Sequence, residues 1–255
     1  MPTALPVRHE DRALLVVLHD CAQKVADLAM ATRLNDAADH DGFIVIYPEQ
    51  SAAANALRCW NWYVPEQTGR DRGEAGILAG LIDSVARLYG VSPRRTALVG
   101  MSAGAAMAAN LAVDYPDRIG ALALHSGMPA LAATDFTGAL AAMRDGTPGA
   151  ALLGKRALAR MGARARAMPV IALQGADDKT VNPVNLVAIV RQWTEVNAHA
   201  SGQAVPVEQH LFPGVGHAWS GGATGVPFLA PTGPDATSMI LTFFRRHGVL
   251  MPRGS

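Results

Sequence analysis

The sequence lacks both a long apolar run and a surplus of charge of one sign. Its longest apolar stretches, such as residues 13–18, have the length of a strand and are far too short to span a membrane. The 22 basic and 21 acidic residues are interleaved, so the chain has neither a basic stripe for nucleic acid nor a polybasic patch for a membrane surface. We expect neither partner; the expected partner is a small or polymeric neutral molecule.

Cysteine is also scarce, because the chain has only Cys21 and Cys59. This count fits two reduced thiols as well as it fits one disulfide, and it does not choose a compartment. Residues 1–6 lack the basic start and apolar run of a signal peptide, which predicts a cytoplasmic protein or a mature form without its leader. Residues 250–255 resemble the remnant of a protease-cleavage tag, so we assign them no function.

The remaining composition favours one large α/β domain over residues 1–255. Half of the residues are hydrophobic and 17% are charged, which allows a sizeable core. Apolar strand patterns alternate with helical patterns, and this alternation predicts a mostly parallel sheet flanked by helices. Strands are predicted at 13–18, 43–47, 96–99, 121–124, 170–173 and 205–211, and helices at 31–40, 74–89, 103–115, 183–197 and 235–247.

Three segments between these elements carry more specific expectations. In helix 74–89 the apolar positions are expected to face the core; they are Ile77, Leu78, Leu81, Ile82, Val85 and Leu88. Residues 127–167 are predicted to be helical, with their arginines on a solvated face: Arg144, Arg156, Arg160, Arg164 and Arg166. The long loop at 48–73 is expected to be functional, as loops of this length usually are.

The segment Gly100–Gly104 matches the G-x-S-x-G pattern of a nucleophilic serine. A predicted buried strand leads into it and a predicted helix leads out, which is the context that the pattern requires. A turn this tight has no room for side chains two positions either side of Ser102. The sequence therefore predicts Ser102 as the nucleophile and the Ala103 N–H, at the helix N-terminus, as a donor to a developing oxyanion.

A serine nucleophile needs a base and an orienting acid, which follow it in the order acid, then histidine, in this arrangement. Two adjacent aspartates follow the strand at 170–173. Asp178 is the preferred acid because it lies three residues before Val181 and three after Gly175, and Asp177 is the alternative. His217 is the predicted base, since it lies in a glycine-rich loop between the last strand and the last helix.

Trp60, Trp62 and Trp219 are predicted to lie on loops at the same edge of the sheet as Ser102. Exposed aromatic rings there would suit an apolar ester, so we predict them, together with Met101 beside the serine, as substrate-binding residues. The alternative is that the tryptophans anchor their loops within the core.

Eight segments in order along the chain are similar to the polyhydroxybutyrate depolymerase-like esterases, which include feruloyl and acetylxylan esterases. They are LHDC (18–21), YPEQS (47–51), CWNW (59–62), GMSAG (100–104), HSG (125–127), the Asp178 loop, HAWSGG (217–222) and GPDA (233–236). The resemblance implies an α/β-hydrolase fold and ester hydrolysis through an acyl-enzyme without metal or cofactor. It also implies that the Cys21 N–H is the second oxyanion donor and that Cys21 pairs with Cys59, which would favour a secreted or periplasmic protein.

The chain departs from this family at three places. Asp20 replaces the usual glycine next to the oxyanion donor, Gln174 stands where a histidine is common, and only about a dozen residues precede the first strand. The expected substrate is poly(3-hydroxybutyrate) or a related hydroxyalkanoate. The alternatives are a short-chain carboxylesterase, a feruloyl or acetylxylan esterase, and a catalytically weak binding protein on a hydrolase scaffold.

Overall fold

The central element is a six-stranded sheet with the order β2-β1-β3-β4-β5-β6, in which every neighbouring pair is parallel. The computed structural model describes residues 12–201, 205–222 and 229–251. The strands are β1 (Leu14–Leu18), β2 (Ile44–Ile46), β3 (Thr96–Met101), β4 (Ala121–His125), β5 (Val170–Gly175) and β6 (Val207–Phe212). The prediction of a parallel sheet from the strand–helix alternation is confirmed.

Helices cover both faces of the sheet. They are α1 (Val25–Thr32), α2 (Leu34–Asp41), α3 (Gly73–Tyr89), α4 (Ala103–Asp114), α5 (Phe136–Asp145), α6 (Leu153–Met161), α7 (Val184–Ser201) and α8 (Ala236–Arg246). A small additional pair, β7 (Trp219–Ser220) with β8 (Leu229–Ala230), lies outside the main sheet and was not predicted. No helix in the described ranges has the length and apolar character that a membrane span needs.

Side chains of each central strand alternate between two cores. In β1, Leu14, Val16 and Leu18 belong to the core beneath α3, α4 and α7, whereas Leu15 and Val17 belong to the core beneath α8. All five are fully buried. This explains the continuous apolar run in the sequence, because a strand covered on both faces has no polar side.

Two predicted helices differ from the observed ones. The helix predicted at 31–40 corresponds mainly to α2, and α1 before it was not predicted; Arg33 separates the two helices because its φ of 52° interrupts the regular turn. In α3 the predicted apolar face is partly wrong: Leu78 and Ile82 are buried, but Ile77 and Leu88 are 73% and 72% exposed. Small residues, Ala75 and Ala79, take the buried positions instead and allow a close packing distance.

The arginines of the helical segment at 127–167 are exposed, as predicted, except Arg166, which is half-buried. Arg160 keeps 40% of its side chain exposed while it donates to the buried carboxylate of Asp114 over 2.7 Å. Leu250, the first residue of the segment interpreted as a tag remnant, is buried against the core beneath α8. Residues 252–255 and the short N-terminus, residues 1–11, lie outside the described residues.

Parallel pairing brings the carboxyl ends of the strands to one edge. Segments leaving β1, β3, β5 and β6 at this edge carry the candidate residues Asp20, Ser102, Asp178 and His217. Ligand sites of open parallel sheets lie at this edge because the loops there converge.

The close approach of α4 to β1 gives a first testable prediction. A Cβ added at Gly104 would lie 2.2 Å from the Leu18 carbonyl oxygen, whereas one added at the exposed Gly80 of α3 would meet nothing within 4 Å. We expect Gly104→Ala to lower the free energy of unfolding by about 3 kcal/mol or more. Gly80→Ala is the control, and helix propensity should make it stabilising by up to about 1 kcal/mol. Urea unfolding curves measure both, and equal stability of the two variants would contradict the close contact.

Candidate active site

Ser102 occupies a strained turn between β3 and α4. Its φ of 55° and ψ of −119° lie outside the regions that residues with a side chain normally adopt. A Cβ at Gly100 would lie 2.5 Å from the Gly104 backbone, which explains the two glycines of the motif. The Ser102 N–H donates to the His125 carbonyl over 2.9 Å. The turn thus projects the serine side chain at the carboxyl edge of the sheet.

His217 connects Ser102 to Asp178. Its Nε2 is 2.9 Å from Ser102 Oγ, and its Nδ1–H donates to Asp178 Oδ2 over 2.7 Å. The three residues come from segments 76 and 39 positions apart in the chain, yet they form one continuous line of hydrogen bonds. The structure therefore brings together the serine, histidine and aspartate that the sequence predicts as nucleophile, base and acid.

Asp178 is held on both carboxylate oxygens. Oδ1 accepts the Thr180 and Val181 N–H groups at 2.9 Å each, and Oδ2 accepts the Gln174 side-chain amide at 2.8 Å. Asp177, by contrast, is exposed. The three-residue spacing from Asp178 to Val181 thus has a physical cause, because the Val181 N–H fixes the carboxylate that faces the histidine.

The ionisation of the site follows from these contacts. Burial tends to raise the pKa of Asp178, but its hydrogen bond to His217 and the backbone N–H groups bring the pKa below its usual value. Burial tends to lower the pKa of His217, but the carboxylates of Asp178 and Asp20 raise it to about 9. At neutral pH these contacts therefore favour the protonated imidazole in the resting site.

Asp20 is the second carboxylate, and it changes the expected oxyanion site. Its Oδ1 accepts the Cys21 N–H over 2.6 Å, and its Oδ2 lies 3.4 Å from His217 Nε2. The predicted second oxyanion donor is therefore occupied by a side chain of the protein itself. Asp20 is not among the residues with a positive φ; the left-handed residue of this loop is Ala22, with a φ of 56°. The loop backbone thus does not require glycine at position 20. Ala103 is the first residue of α4, as predicted.

The loop after β1 is tied to the loop between β2 and α3. Cys21 and Cys59 form a disulfide, which confirms the pairing implied by the resemblance. The Trp60 indole donates to the His19 carbonyl at 3.1 Å, and His19 Nε2 accepts the Gln50 N–H at 3.0 Å. Burial lowers the pKa of His19, which favours the neutral ring that accepts the Gln50 N–H. The two loops therefore form one rigid support beside Ser102.

The predicted substrate-binding residues are core residues instead. Trp60, Trp62 and Trp219 are 4%, 5% and 1% exposed, and Met101 is fully buried. The Trp219 indole donates to Thr237 Oγ1 and its ring stacks on His125 at 5.2 Å. The interpretation as exposed aromatics is wrong, because all three rings are buried beneath their loops, where the Trp60 and Trp219 N–H groups also find hydrogen-bond partners.

Several polar residues support the site without having been predicted for it. Glu74, at the start of α3, accepts the Gln50 side-chain amide at 2.6 Å and the Asn61 N–H at 2.8 Å. Its position as an acidic residue in the first turn of a predicted helix was the only signal. His125 at the end of β4 is buried, and burial lowers its pKa to about 3. Within the described ranges, no group of histidine, cysteine and acidic residues could hold a metal ion.

The chain is similar to known esterases. Residues 4–205 match the model of a family described as "Esterase PHB depolymerase". The poly(3-hydroxyalkanoate) depolymerase C of Paucimonas lemoignei is 30% identical over 90% of this chain and 54% of its own length. A feruloyl esterase B of Neurospora crassa is 33% identical over 46% of this chain and 39% of its own length. The chain thus spans about half or less of the length of these relatives.

Solved structures show the same fold. An acetyl xylan esterase from Aspergillus awamori superposes with a TM-score of 0.70 at 19% identity, over 83% of this chain and 85% of the other. The esterase PE8 superposes with a TM-score of 0.63 at 18% identity, over 93% of each chain. The predicted α/β-hydrolase fold is confirmed.

The two adjacent aspartates give a second testable prediction. Asp178→Asn removes the charge that contacts His217 Nδ1, so the pKa of His217 should fall from about 9 by about one unit or more. Asp177→Asn removes the same charge one residue away, at an exposed position, and should leave this pKa nearly unchanged. An NMR titration of the His217 ring protons measures both. If Asp177→Asn shifted the pKa of His217 more than Asp178→Asn does, Asp177 and not Asp178 would be the acid.

Proposed function

The chain belongs to the esterase PHB depolymerase family, and from the geometry of its site we propose that it is a serine ester hydrolase that acts through an acyl-enzyme. One observation carries this proposal: Ser102 Oγ, His217 and Asp178 form a continuous hydrogen-bonded line at the carboxyl edge of the sheet. Serine, histidine and aspartate in this geometry are the groups that acyl transfer to a serine needs.

In the proposed first half-reaction, Ser102 Oγ attacks the ester carbonyl while its proton passes to Nε2 of neutral His217. Asp178 keeps the imidazole in the tautomer with a free Nε2, because its carboxylate accepts the Nδ1–H. The carbonyl oxygen becomes an oxyanion near the N-terminus of α4, where the Ala103 N–H and the helix dipole stabilise it. The His217 proton then moves to the departing alcohol, and the acyl group remains on Ser102.

In the second half-reaction, water takes the place of the alcohol. His217 accepts a proton from the water as it attacks the acyl carbonyl, and returns that proton to Ser102 Oγ as the acid leaves. The cycle therefore ends as it began, with a proton on Ser102 Oγ and a neutral His217.

The proposed substrate is an ester of a hydroxyalkanoate, either poly(3-hydroxybutyrate) or its oligomers. The relative from Paucimonas lemoignei, a poly(3-hydroxyalkanoate) depolymerase, supports this class, and the feruloyl and acetylxylan esterases support the alternative of smaller esters. A polymer needs an apolar surface beside the site. Phe136 and Leu140, one turn apart on α5, are 60% and 49% exposed, and the Tyr63 ring lies 5.9 Å from Phe136. We call these three residues the α5 patch.

A third prediction tests the nucleophile. Ser102→Ala should abolish hydrolysis of p-nitrophenyl butyrate and labelling by a fluorophosphonate probe, while the unfolding curve stays close to that of the parent protein. The parent protein is then assayed on polymer, hydroxybutyrate oligomers, methyl ferulate and acetylated xylan to rank the substrate classes. Residual turnover in Ser102→Ala would exclude this serine as the nucleophile. Absence of both turnover and labelling in the parent would favour a binding protein on a hydrolase scaffold.

A fourth prediction tests the polymer. Phe136→Ser with Leu140→Ser should lower the hydrolysis of a poly(3-hydroxybutyrate) suspension by about tenfold, because it removes apolar contact area. The rate on p-nitrophenyl butyrate should not change. Leu88→Ser is the matched control, since Leu88 is 72% exposed at the opposite end of α3 from the catalytic edge. A similar loss of polymer hydrolysis in the control would show that the α5 patch has no special role.

A further inference from the structure

The carboxylate of Asp20 is a buried charge in the active site that the proposed reaction does not use. The residue is 4% exposed, and its two oxygens contact the Cys21 N–H at 2.6 Å and His217 Nε2 at 3.4 Å. A buried charge is costly unless its partners compensate for it. Both partners of this charge belong to the reaction centre.

The side chain of Asp20 is not needed to shape its own loop. The backbone makes the loop contacts: the Asp20 N–H donates to Gln23 Oε1 at 3.1 Å, and the Asp20 carbonyl accepts the His19 Nδ1–H at 2.7 Å. Any residue with a backbone N–H could make these contacts, including the glycine usual in the family. Among the described residues, the carboxylate itself contacts the Cys21 N–H and the imidazole of His217, so its effect is on the chemistry of the site.

The carboxylate lies where a reacting ester would place negative charge. Backbone N–H groups beside a serine nucleophile stabilise the oxyanion of the tetrahedral intermediate. In the resting structure the Cys21 N–H already donates to an anionic oxygen, that of Asp20. A substrate carbonyl oxygen cannot use this donor until that oxygen has left it.

The same carboxylate holds His217 in the form that cannot act as a base. The groups facing the imidazole are Asp178 from the loop after β5, Asp20 from the loop after β1, Ser102, and neutral His125 from β4. Two of them are carboxylates, and together they raise the pKa of His217 to about 9 against the opposing effect of burial. Protonated His217 has no lone pair on Nε2 with which to accept the Ser102 proton.

We propose that Asp20 is an inhibitory occupant of the oxyanion site, which holds the resting enzyme in a low-activity state until its side chain rotates away from Cys21 and His217. This inference rests on the proposed serine-esterase function and concerns the same site. The disulfide and the Trp60 contact fix the loop backbone, so the movement is confined to the side chain. Asp20 thereby sets both how tightly an oxyanion is bound and the pH at which His217 becomes a base.

Two variants separate the charge of Asp20 from its bulk. Asp20→Asn keeps the size and an oxygen for the Cys21 N–H but removes the negative charge, whereas Asp20→Gly removes both. Asp177→Asn removes one charge at an exposed neighbouring position and serves as the control. The kcat/KM for p-nitrophenyl butyrate is measured from pH 6 to pH 10, together with the inhibition constant of phenylboronic acid, whose boron bonds to the serine oxygen and carries an oxyanion.

We expect the kcat/KM of the parent protein to rise with pH through a midpoint near 9, the pKa of His217. Asp20→Asn should move this midpoint down by about one unit, because one of the two carboxylates beside the imidazole is gone. Asp20→Gly should also raise kcat/KM at neutral pH by about tenfold or more and tighten boronate binding by a similar factor, because a second oxyanion donor becomes free. Asp177→Asn should change neither quantity.

Opposite results would overturn the inference. One such result is that both Asp20 variants are folded, with an intact Cys21–Cys59 disulfide and a serine that reacts with a fluorophosphonate, yet have the kcat/KM and the pH midpoint of the parent. Asp20 would then not inhibit the site. A loss of activity in Asp20→Asn with the fold retained would make the carboxylate a helper of the reaction, which also contradicts the proposal. If neither the parent nor any Asp20 variant hydrolyses an ester or reacts with the probe, the proposed esterase function itself fails.

Discussion

The contact between Gly104 and the Leu18 carbonyl is the constraint on which the site depends. A single added carbon at Gly104 would overlap this oxygen, so α4 can begin where it does only with glycine there. The contact sets the end of β1 directly against the turn that carries Ser102. Asp20 follows Leu18 by two residues, so this contact places its carboxylate close to the point where His217 meets Ser102. The packing of one helix on one strand therefore decides the chemistry that is available at the sheet edge.

The electrostatics of the site follow from placing one imidazole between two carboxylates. Asp178 is fixed by backbone N–H groups and Gln174, so it orients the ring from the Nδ1 side. Asp20 approaches from the Nε2 side, where the proton of the serine has to arrive. Asp178 supports His217 as a base and Asp20 opposes it, although both carboxylates raise the pKa of His217. The effect of a carboxylate on the reaction therefore depends on which ring nitrogen it faces as well as on its charge.

The parts that could be predicted from the sequence are those set by local rules. Continuous apolar runs gave the strands, and the glycine spacing around Ser102 gave the turn, because both patterns reflect contacts of the residues themselves. The burial of Trp60 and Trp219 could not be predicted, since it depends on partners far along the chain, the His19 carbonyl and Thr237. The exposure of Ile77 was missed for a related reason: helical periodicity does not reveal that alanines will face the sheet. Gln174 was recognised only as a departure, and its contact with Asp178 emerged from the fold.

The same distinction between local and distant causes applies to Asp20. The backbone of its loop is held by His19, Gln23, Trp60 and the disulfide, none of which depends on the side chain at position 20. The loop is therefore a scaffold on which that side chain can change without a change of fold, and φ at this position permits any residue. A glycine there leaves the Cys21 N–H open to a ligand, whereas an aspartate supplies an anion from within the protein. One fold can thus carry either an open or an occupied oxyanion site, and the difference lies in a single carboxylate.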